Sequence, residues 1–304
     1  MIRINLALGG GGARGLAHIA MLEAFDELGL KPHRLAGTSF GAVIAALYAS
    51  GISAAEIRAD VEQLIGFGHR RRFKDMFGRE ELAHWFAFVD LEFRRGGLLR
   101  GKRFHAFLKH RMPARDFAHL KIPLKIVAAD FWSWEPVVFD RGDLALAVKA
   151  SMSVPGVFAP VRSGGRVLID GGAVDPLPYE LWQDECDTSV AIEAVPVRAG
   201  DARRNPRMLD AVFTTIQIMQ RSIVAEKIKR NPPDLLVRPM IADVRLMDFH
   251  KAERIFAQAE PEKQRLKREL QRLIETAKLR RHGQAAGESP PPKLKLPPPA
   301  AAAE

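Results

Sequence analysis

A single serine stands in a setting that favours its use as a nucleophile. Ser39 lies in the pattern Gly-x-Ser-x-Gly, between Gly37 and Gly41, after an apolar run and before a stretch of small apolar residues. Glycines on both sides relieve crowding where a strand turns sharply into a helix and exposes the serine hydroxyl. A helix that begins at Phe40 points the positive end of its dipole at that hydroxyl, which favours a developing negative charge. The pattern predicts a serine nucleophile for acyl transfer.

A glycine-rich segment near the N-terminus has the composition of an anion-binding loop. Backbone N–H groups of such a loop at a helix N-terminus bind an oxyanion as readily as a phosphate. The segment also fits the Gly-x-Gly-x-x-Gly fingerprint of dinucleotide sites, which requires an acidic residue at the end of the second strand. The second predicted strand ends in Thr38 and Ser39 instead, so we favour an oxyanion hole. The residues assigned to it are Gly10, Gly11, Gly12, Arg14 and Gly15.

The candidate general base is an aspartate far from the serine in sequence. Asp170 follows an apolar run and precedes Gly171 and Gly172, so its carboxylate lies at the end of a predicted strand. An aspartate in this position is equally typical of an ordinary turn. Only the combination of the glycine loop, the serine and the aspartate, in this order, predicts a serine hydrolase whose base is an aspartate.

Alternating strands and helices carry these residues. Apolar runs predict the strands, and apolar residues at helical spacing predict the helices. The order strand, helix, strand, helix predicts an α/β fold in which helices flank a central, mostly parallel sheet. The predicted strands are 2–8, 33–38, 122–129, 137–139, 166–169, 190–195 and 235–237, and the main helices are 16–25, 40–50, 144–150 and 208–229, with a capping box at 53–56 opening another.

The chain divides into a catalytic domain and a C-terminal extension. We expect residues 1–260 to form the domain, with a helical cap inserted at about 66–120, where Arg, Phe and His are frequent. Residues 261–282 have the pattern of a basic helix, and residues 283–304 form a Pro- and Ala-rich tail that we expect to be disordered.

Together, the motifs resemble those of the bacterial patatin-like phospholipases. These are acyl hydrolases with a Ser–Asp dyad and an α/β fold, and the resemblance extends from about residue 4 to residue 181. Their pattern is a glycine-rich oxyanion motif, a Gly-x-Ser-x-Gly turn and a later Asp-Gly-Gly, all present here in order. Residues 151–158, Ser-Met-Ser-Val-Pro-Gly-Val-Phe, resemble a further family segment that precedes the aspartate.

The resemblance implies a mechanism and a substrate class. Ser39 would attack an ester carbonyl, Asp170 would accept its proton, and the N–H groups of Gly11 and Gly12 would bind the oxyanion. Arg14 would brace the loop or meet a phosphate. The substrate would be a fatty-acyl ester of a phospholipid, lysophospholipid or related lipid, and no metal or cofactor is needed. One departure is Asp175, where relatives commonly carry asparagine; facing the site, it would raise the pKa of Asp170.

Charge and cysteine content bear on partners and location. The 304 residues include 46 Lys and Arg against 36 Asp and Glu, a formal net charge of +10 that favours anionic partners. We expect peripheral contact with an anionic membrane surface, chiefly through the aromatic and basic stretch 70–107, rather than nucleic-acid binding, since no base-reading motif is found. With one cysteine, Cys186, and no export signal or membrane span, we expect a cytoplasmic protein that can contact the inner membrane peripherally; the partner of the tail is unknown.

Two alternatives stay open at this point. The same fold could serve as a binding or regulatory module with little or no turnover, engaging a partner or membrane through its basic surface. The chain could also use a Ser–Asp–His triad, for which only His250 and His282 follow Asp170 in sequence.

Overall fold

The computed structural model describes residues 2–69, 109–194 and 208–285. Within these ranges the strands are β1 (Ile4–Leu8), β2 (Arg34–Thr38), β3 (Leu124–Asp130), β4 (Pro136–Phe139), β5 (Val161–Ser163), β6 (Arg166–Asp170), β7 (Thr188–Ile192) and β8 (Leu235–Val237). The α-helices are α1 (Ala17–Glu27), α2 (Phe40–Ala49), α3 (Ala54–His69), α4 (Leu144–Ser151), α5 (Met208–Arg230) and α6 (Ala252–Ala285). Short 3-10 helices include Gly12–Leu16, Gly171–Ala173, Tyr179–Glu185 and Phe249–Lys251.

The eight strands of the described ranges form one mixed sheet. Its order is β5-β6-β3-β2-β1-β7-β8, and β4 pairs with β3 outside this path. The five strands from β3 to β8 in this order are parallel, whereas β4, β5 and β6 pair antiparallel. This arrangement confirms the predicted α/β fold with a mostly parallel sheet flanked by helices.

Side-chain size differs between the two faces of the sheet. Leu6, Leu8 and Leu35 point into the main core beneath α1, α2 and α6, while Ala7 and Ala36 point to the other face. There the 3-10 helix Tyr179–Glu185 and α5 complete a smaller apolar cluster. Because α2 consists of small and apolar residues on every side, it is buried along its whole length.

The strand register brings the predicted site residues together at one end of the strands. Thr38 pairs with Val127 of β3 at the end of β2, so Ser39 follows at that level. Asp170 pairs with the next residue of β3, Ala128. β3 extends three residues beyond Val127, the partner of the last residue of β2. The last residues of β6 pair with this extension, and the final one, Asp170, therefore lies one residue beyond the level of Thr38.

The C-terminal helix begins earlier than predicted. α6 is one helix from Ala252 to Ala285 that packs along α1, so it crosses the predicted boundary at 260/261, and the division into a domain and an extension stays a prediction. Lys263 bonds to Glu23 at 2.9 Å and to Glu27 at 2.6 Å, so part of the basic charge is neutralised against α1. Most of the expected cap and nearly all of the tail, residues 70–108 and 286–304, lie outside the described residues. Among the described helices, none is long and apolar enough to cross a bilayer.

Candidate active site

The turn between β2 and α2 holds Ser39 in a strained conformation. Its φ and ψ are 55° and −128°, a backbone conformation that residues other than glycine rarely adopt. A Cβ atom on Gly41 would lie 2.3 Å from the Leu8 carbonyl oxygen, and one on Gly37 would lie 2.7 Å from the Ala42 Cα. Both flanking positions therefore require glycine, and the sharp turn predicted from the motif is present.

A direct hydrogen bond joins the predicted nucleophile and the predicted base. Ser39 Oγ donates to Asp170 Oδ2 at 2.6 Å, and both side chains are buried. The other carboxylate oxygen, Oδ1, accepts from the Gly172 N–H at 2.7 Å, which fixes the carboxylate orientation. A Cβ atom on Gly171 would lie 2.2 Å from the Val127 carbonyl oxygen, so glycine lets this segment lie against β3.

Burial makes Asp170 a stronger base than a free aspartate. Desolvation raises the pKa of its carboxyl to about 6, against the opposing effect of its hydrogen bonds to Ser39 and Gly172. At neutral pH the carboxylate is therefore mostly charged and has a higher proton affinity than an exposed one. The environment moves the group toward the range in which a general base works near neutral pH.

A second serine, which sequence reasoning did not assign to the site, supports the turn. Ser151 Oγ accepts a hydrogen bond from the Ser39 N–H at 2.8 Å and donates to the Val127 carbonyl at 2.6 Å. It thus ties the strained turn to β3. Two residues on, the Ser153 carbonyl accepts from the Asp170 N–H at 3.0 Å. The family-like segment 151–158 was the available signal, but neither contact could be inferred from it.

Hydrogen bonds from three directions hold the glycine-rich loop. The Gly9 N–H donates to the Ile192 carbonyl and the Gly10 N–H to the Pro176 carbonyl. His18 Nε2 lies 2.8 Å from the Gly9 carbonyl oxygen. The N–H groups of Gly11 and Gly12 donate to no atom of the described residues. Within the described part of the chain these two donors are therefore available to an anion, whereas the Gly10 N–H is already used.

Arg14 and Gly15 fix this loop against neighbouring segments. The buried Arg14 guanidinium donates through Nη1 to the Val244 carbonyl at 2.7 Å, and burial lowers its pKa to about 10. A Cβ atom on Gly15 would lie 2.8 Å from the Phe40 ring, so this glycine permits close packing of the loop on α2. Bracing, one of the two roles expected for Arg14, is the one its contacts fit.

The dyad and the glycine loop border one cavity of about 170 Å³. Its other walls are mainly apolar, and α5 contributes Phe213 and Ile216 to them. No histidine is among the described residues that line this cavity, and the Ser39–Asp170 contact leaves no space for an imidazole between them. The geometry favours a dyad over the triad with His250; the side chain of His282 lies outside the described part of the chain.

Asp175 does not face this cavity. Its carboxylate bonds to Lys227 Nζ at 2.9 Å and lines a neighbouring cavity of about 750 Å³. Lys227 also lies 3.4 Å from a Glu180 oxygen and donates to the Leu177 carbonyl at 3.0 Å. The expected effect on the pKa of Asp170 is therefore absent, because that pKa is raised by burial and Asp175 is paired with a lysine.

Comparison with known proteins agrees with this geometry. The family model described as patatin-like phospholipase matches residues 6–181. An uncharacterised NTE family protein of Mycobacterium tuberculosis is 33% identical over 211 residues, which cover 66% of this chain and 51% of that protein. A fungal relative, the lysophospholipase NTE1 of Candida glabrata, is 30% identical over 287 residues, which cover 83% of this chain and 15% of the relative.

The likeness to solved structures is more distant. VipD of Legionella pneumophila superposes with a TM-score of 0.48 at 14% sequence identity, over 88% of this chain and 67% of that one. The chain spans about half the length of the Mycobacterium tuberculosis relative named above and 15% of the Candida glabrata one. The family model covers more than half of the chain, and we conclude that the chain belongs to the patatin-like phospholipase family.

Proposed function

We propose that this chain is a serine acyl hydrolase that cleaves fatty-acyl esters of phospholipids, lysophospholipids or related lipids. The observation that carries the proposal is the 2.6 Å hydrogen bond between Ser39 and Asp170, on the same cavity as the N–H groups of Gly11 and Gly12, which donate to none of the described residues. Family membership and the lysophospholipase activity named for the Candida glabrata relative support the lipid class.

The first half of the reaction forms an acyl-enzyme. Ser39 Oγ attacks the ester carbonyl carbon while its proton passes to Asp170 Oδ2. The carbonyl oxygen becomes an oxyanion that accepts hydrogen bonds from the Gly11 and Gly12 N–H groups, a type of contact worth about 10²- to 10³-fold in rate. As the intermediate collapses, the C–O bond to the alcohol breaks and Asp170 returns the proton to the leaving oxygen.

The second half regenerates the enzyme. A water molecule attacks the acyl carbon and gives a proton to Asp170, and the same two N–H groups stabilise the second oxyanion. When the bond to Ser39 Oγ breaks, the proton returns to the serine and a fatty acid is released. Because Asp170 alternates between acceptor and donor, its raised pKa serves both halves.

The cavity suits an ester with an apolar tail. Its apolar walls bind hydrocarbon, but its volume of about 170 Å³ lies below the roughly 300–1,000 Å³ typical of ligand pockets. A long acyl chain therefore extends past the described walls. A protein acting on such a substrate meets it at a lipid surface, so peripheral membrane contact is part of the proposal.

Hydrolysis by matched variants tests this function. The substrates are a short-chain nitrophenyl ester and lysophospholipid micelles, and the proteins are the parent chain, Ser39→Ala and Asp170→Asn. Ser50→Ala is the control, because its hydroxyl donates to the Ala46 carbonyl at the far end of α2 from Ser39. We expect turnover by the parent and the control and background rates for both site variants. A folded parent that turns over neither substrate would instead support a binding or regulatory role.

A further inference from the structure

Three large aromatic side chains are exposed at the tip of one β-hairpin. The loop between β3 and β4 contains Phe131, Trp132 and Trp134, which are 44%, 75% and 82% exposed. Exposing so much aromatic surface at one point is unfavourable in water, and such patches mark interaction sites. Tryptophan is enriched where an apolar medium meets water, because its ring is apolar and its N–H remains hydrated.

The backbone of this loop supports a role for the aromatic residues. The Trp134 N–H donates to the Asp130 carbonyl at 2.9 Å, and the Asp130 N–H donates to the Glu135 carbonyl at 3.0 Å. This closes a four-residue hairpin loop in which Trp134 has a φ of 63°, a left-handed conformation that favours glycine or asparagine. A bulky residue in a strained position is a feature of functional sites rather than of a loop that merely connects strands.

The hairpin tip lies beyond the edge that carries the catalytic dyad. Ser39 follows the residue paired with Val127, and Asp170 is paired with Ala128, whereas the loop begins after Asp130. At about 3.3 Å per strand residue, the tip extends roughly 7–10 Å or more past the dyad. Any surface that the tip contacts is thus brought to the same edge as the active site.

Arginines of the neighbouring hairpin accompany the aromatic tip. Arg166 begins β6 and Arg162 lies on β5, both exposed and both beyond the level of the dyad. The Phe131 N–H donates to the Val167 carbonyl at 2.8 Å, which holds the two hairpins side by side. Arginine forms strong hydrogen bonds with phosphate groups, so aromatic rings and guanidinium groups here match the acyl and headgroup layers of a phospholipid surface.

We propose that the β3–β4 hairpin tip inserts into a phospholipid surface and docks the catalytic edge on it. The proposal rests on the proposed function for its biological sense, but the docking itself needs no turnover. The rings of Trp132 and Trp134 enter the interface, and Arg162 and Arg166 contact headgroup phosphates. The ester carbonyls of the lipid then lie near the end of the sheet that carries Ser39. A substrate molecule therefore needs to move only a short distance out of the bilayer.

Vesicle binding by the inactive full chain tests the docking separately from catalysis. The parent for this experiment is the Ser39→Ala chain, and the vesicles contain phosphatidylcholine and phosphatidylglycerol with some lipids brominated on the acyl chain. We expect binding accompanied by quenching of tryptophan fluorescence. Replacing both rings, by Trp132→Ser with Trp134→Gly, should lower the partition coefficient about tenfold or more and remove most of the quenching.

Two controls keep the result specific to the tip. Trp134→Gly relieves the left-handed strain, so a loss of binding in this variant occurs without loss of stability. Arg162→Gln should lower binding by about fivefold. Arg141→Gln should not lower it, because this exposed arginine follows β4 at the opposite end of the strands from the hairpin tip. The same tip variants in the active chain should keep full activity on a soluble nitrophenyl ester.

Several outcomes overturn the proposal. One is parental binding and quenching by the double tryptophan variant, which would assign the binding to another basic surface. Another is no vesicle binding by the parent, in which case the exposed rings serve a protein partner. A tryptophan emission that is already characteristic of buried rings in buffer, and unchanged by the double replacement, would show that the chain itself covers the tip.

Failure of catalysis with intact vesicle binding would count against the proposed function alone.

Discussion

Ser39 Oγ lies 2.6 Å from Asp170 Oδ2, and this contact joins the ends of β2 and β6 across the intervening strand β3. Val127 and Ala128 of β3 are the register partners that bring the two ends together. The proton donor and acceptor are thus already in contact before a substrate binds, which is the arrangement a nucleophile and its base require.

The activity should depend on pH through Asp170. Only the charged carboxylate accepts the serine proton, and burial raises its pKa to about 6. We therefore expect kcat/KM for a soluble ester to rise about tenfold per pH unit below that value and to level off above it. A profile measured from pH 4 to 9 checks this. An inflection near pH 4 would mean that the carboxyl is not the base or is not buried in solution.

Neutralising Asp170 should stabilise the fold while it abolishes activity. A carboxyl whose pKa is higher in the folded protein than in the unfolded chain destabilises the fold increasingly as the pH rises from 3.8 to about 6. Asp170→Asn removes this cost. Its amide oxygen can still accept from the Gly172 N–H, and its NH2 group can donate to Ser39 Oγ in place of the bond that the carboxylate accepts. At pH 7.5 its free energy of unfolding should therefore increase by up to about 3 kcal/mol.

Denaturant unfolding at two pH values tests the origin of that gain. The difference between Asp170→Asn and the parent should shrink at pH 4, where the parent carboxyl is protonated. An equal difference at both values would show that packing, rather than the buried charge, is responsible.

The turn at Ser39 should depend on Ser151. Ser151→Ala leaves the buried Ser39 N–H and Val127 carbonyl without this partner, which should cost about 1–3 kcal/mol and lower kcat. Ser153→Ala is the matched control, because its hydroxyl bonds to the Lys149 carbonyl and does not touch the turn. Kinetics and thermal unfolding of both variants check the prediction. Equal effects of the two changes on kcat would contradict a specific role for Ser151.

Lys227 and Asp175 should stabilise the segment that follows the catalytic aspartate. The Thr38 hydroxyl donates to the Asp175 carbonyl and the Gly10 N–H to the Pro176 carbonyl, so this segment contacts both the β2 end and the glycine loop. Lys227→Met leaves the partly buried Asp175 carboxylate without its lysine, which should cost up to about 3 kcal/mol, the lower end of the range for fully buried pairs.

The double variant Lys227→Met with Asp175→Asn separates charge from packing. Asparagine has nearly the size and shape of aspartate, and it removes the unpaired charge. We expect unfolding experiments to show that the double variant recovers much of the stability lost in Lys227→Met. If the loss of stability in the double variant equals the sum of the losses in Lys227→Met and Asp175→Asn, the two side chains do not interact energetically.

Local sequence patterns sufficed for some parts of the site and not for others. The glycines around Ser39 and after Asp170 are needed by contacts within a few residues or with an adjacent strand, so they leave a motif that can be read. Ser151 contacts Ser39 across 112 positions of sequence, and only the fold brings the two together. Its own neighbourhood gives no sign of that contact.

The same contrast applies to the fold. Buried parallel strands such as β1 and β2 are mostly apolar, with polar residues only at Asn5, Arg34 and Thr38, and could be predicted. Strand β5 has only three residues and lies at the sheet edge, so it left no periodic signal. The start of α6 was misplaced because its basic composition suggested an exposed extension. In the structure, Leu266, Leu270 and Leu273 are buried, while Lys263 pairs with acidic residues of α1.

Covalent labelling with a fluorophosphonate tests the central claim most directly. The reagent is applied to the folded parent, to Ser39→Ala and to Asp170→Asn, and the modified peptide is identified by mass spectrometry. The account predicts one adduct on Ser39 in the parent, none in Ser39→Ala, and labelling slowed by at least about 10²-fold in Asp170→Asn. A folded parent that stays unlabelled, or an adduct on another residue, would contradict the Ser39–Asp170 dyad.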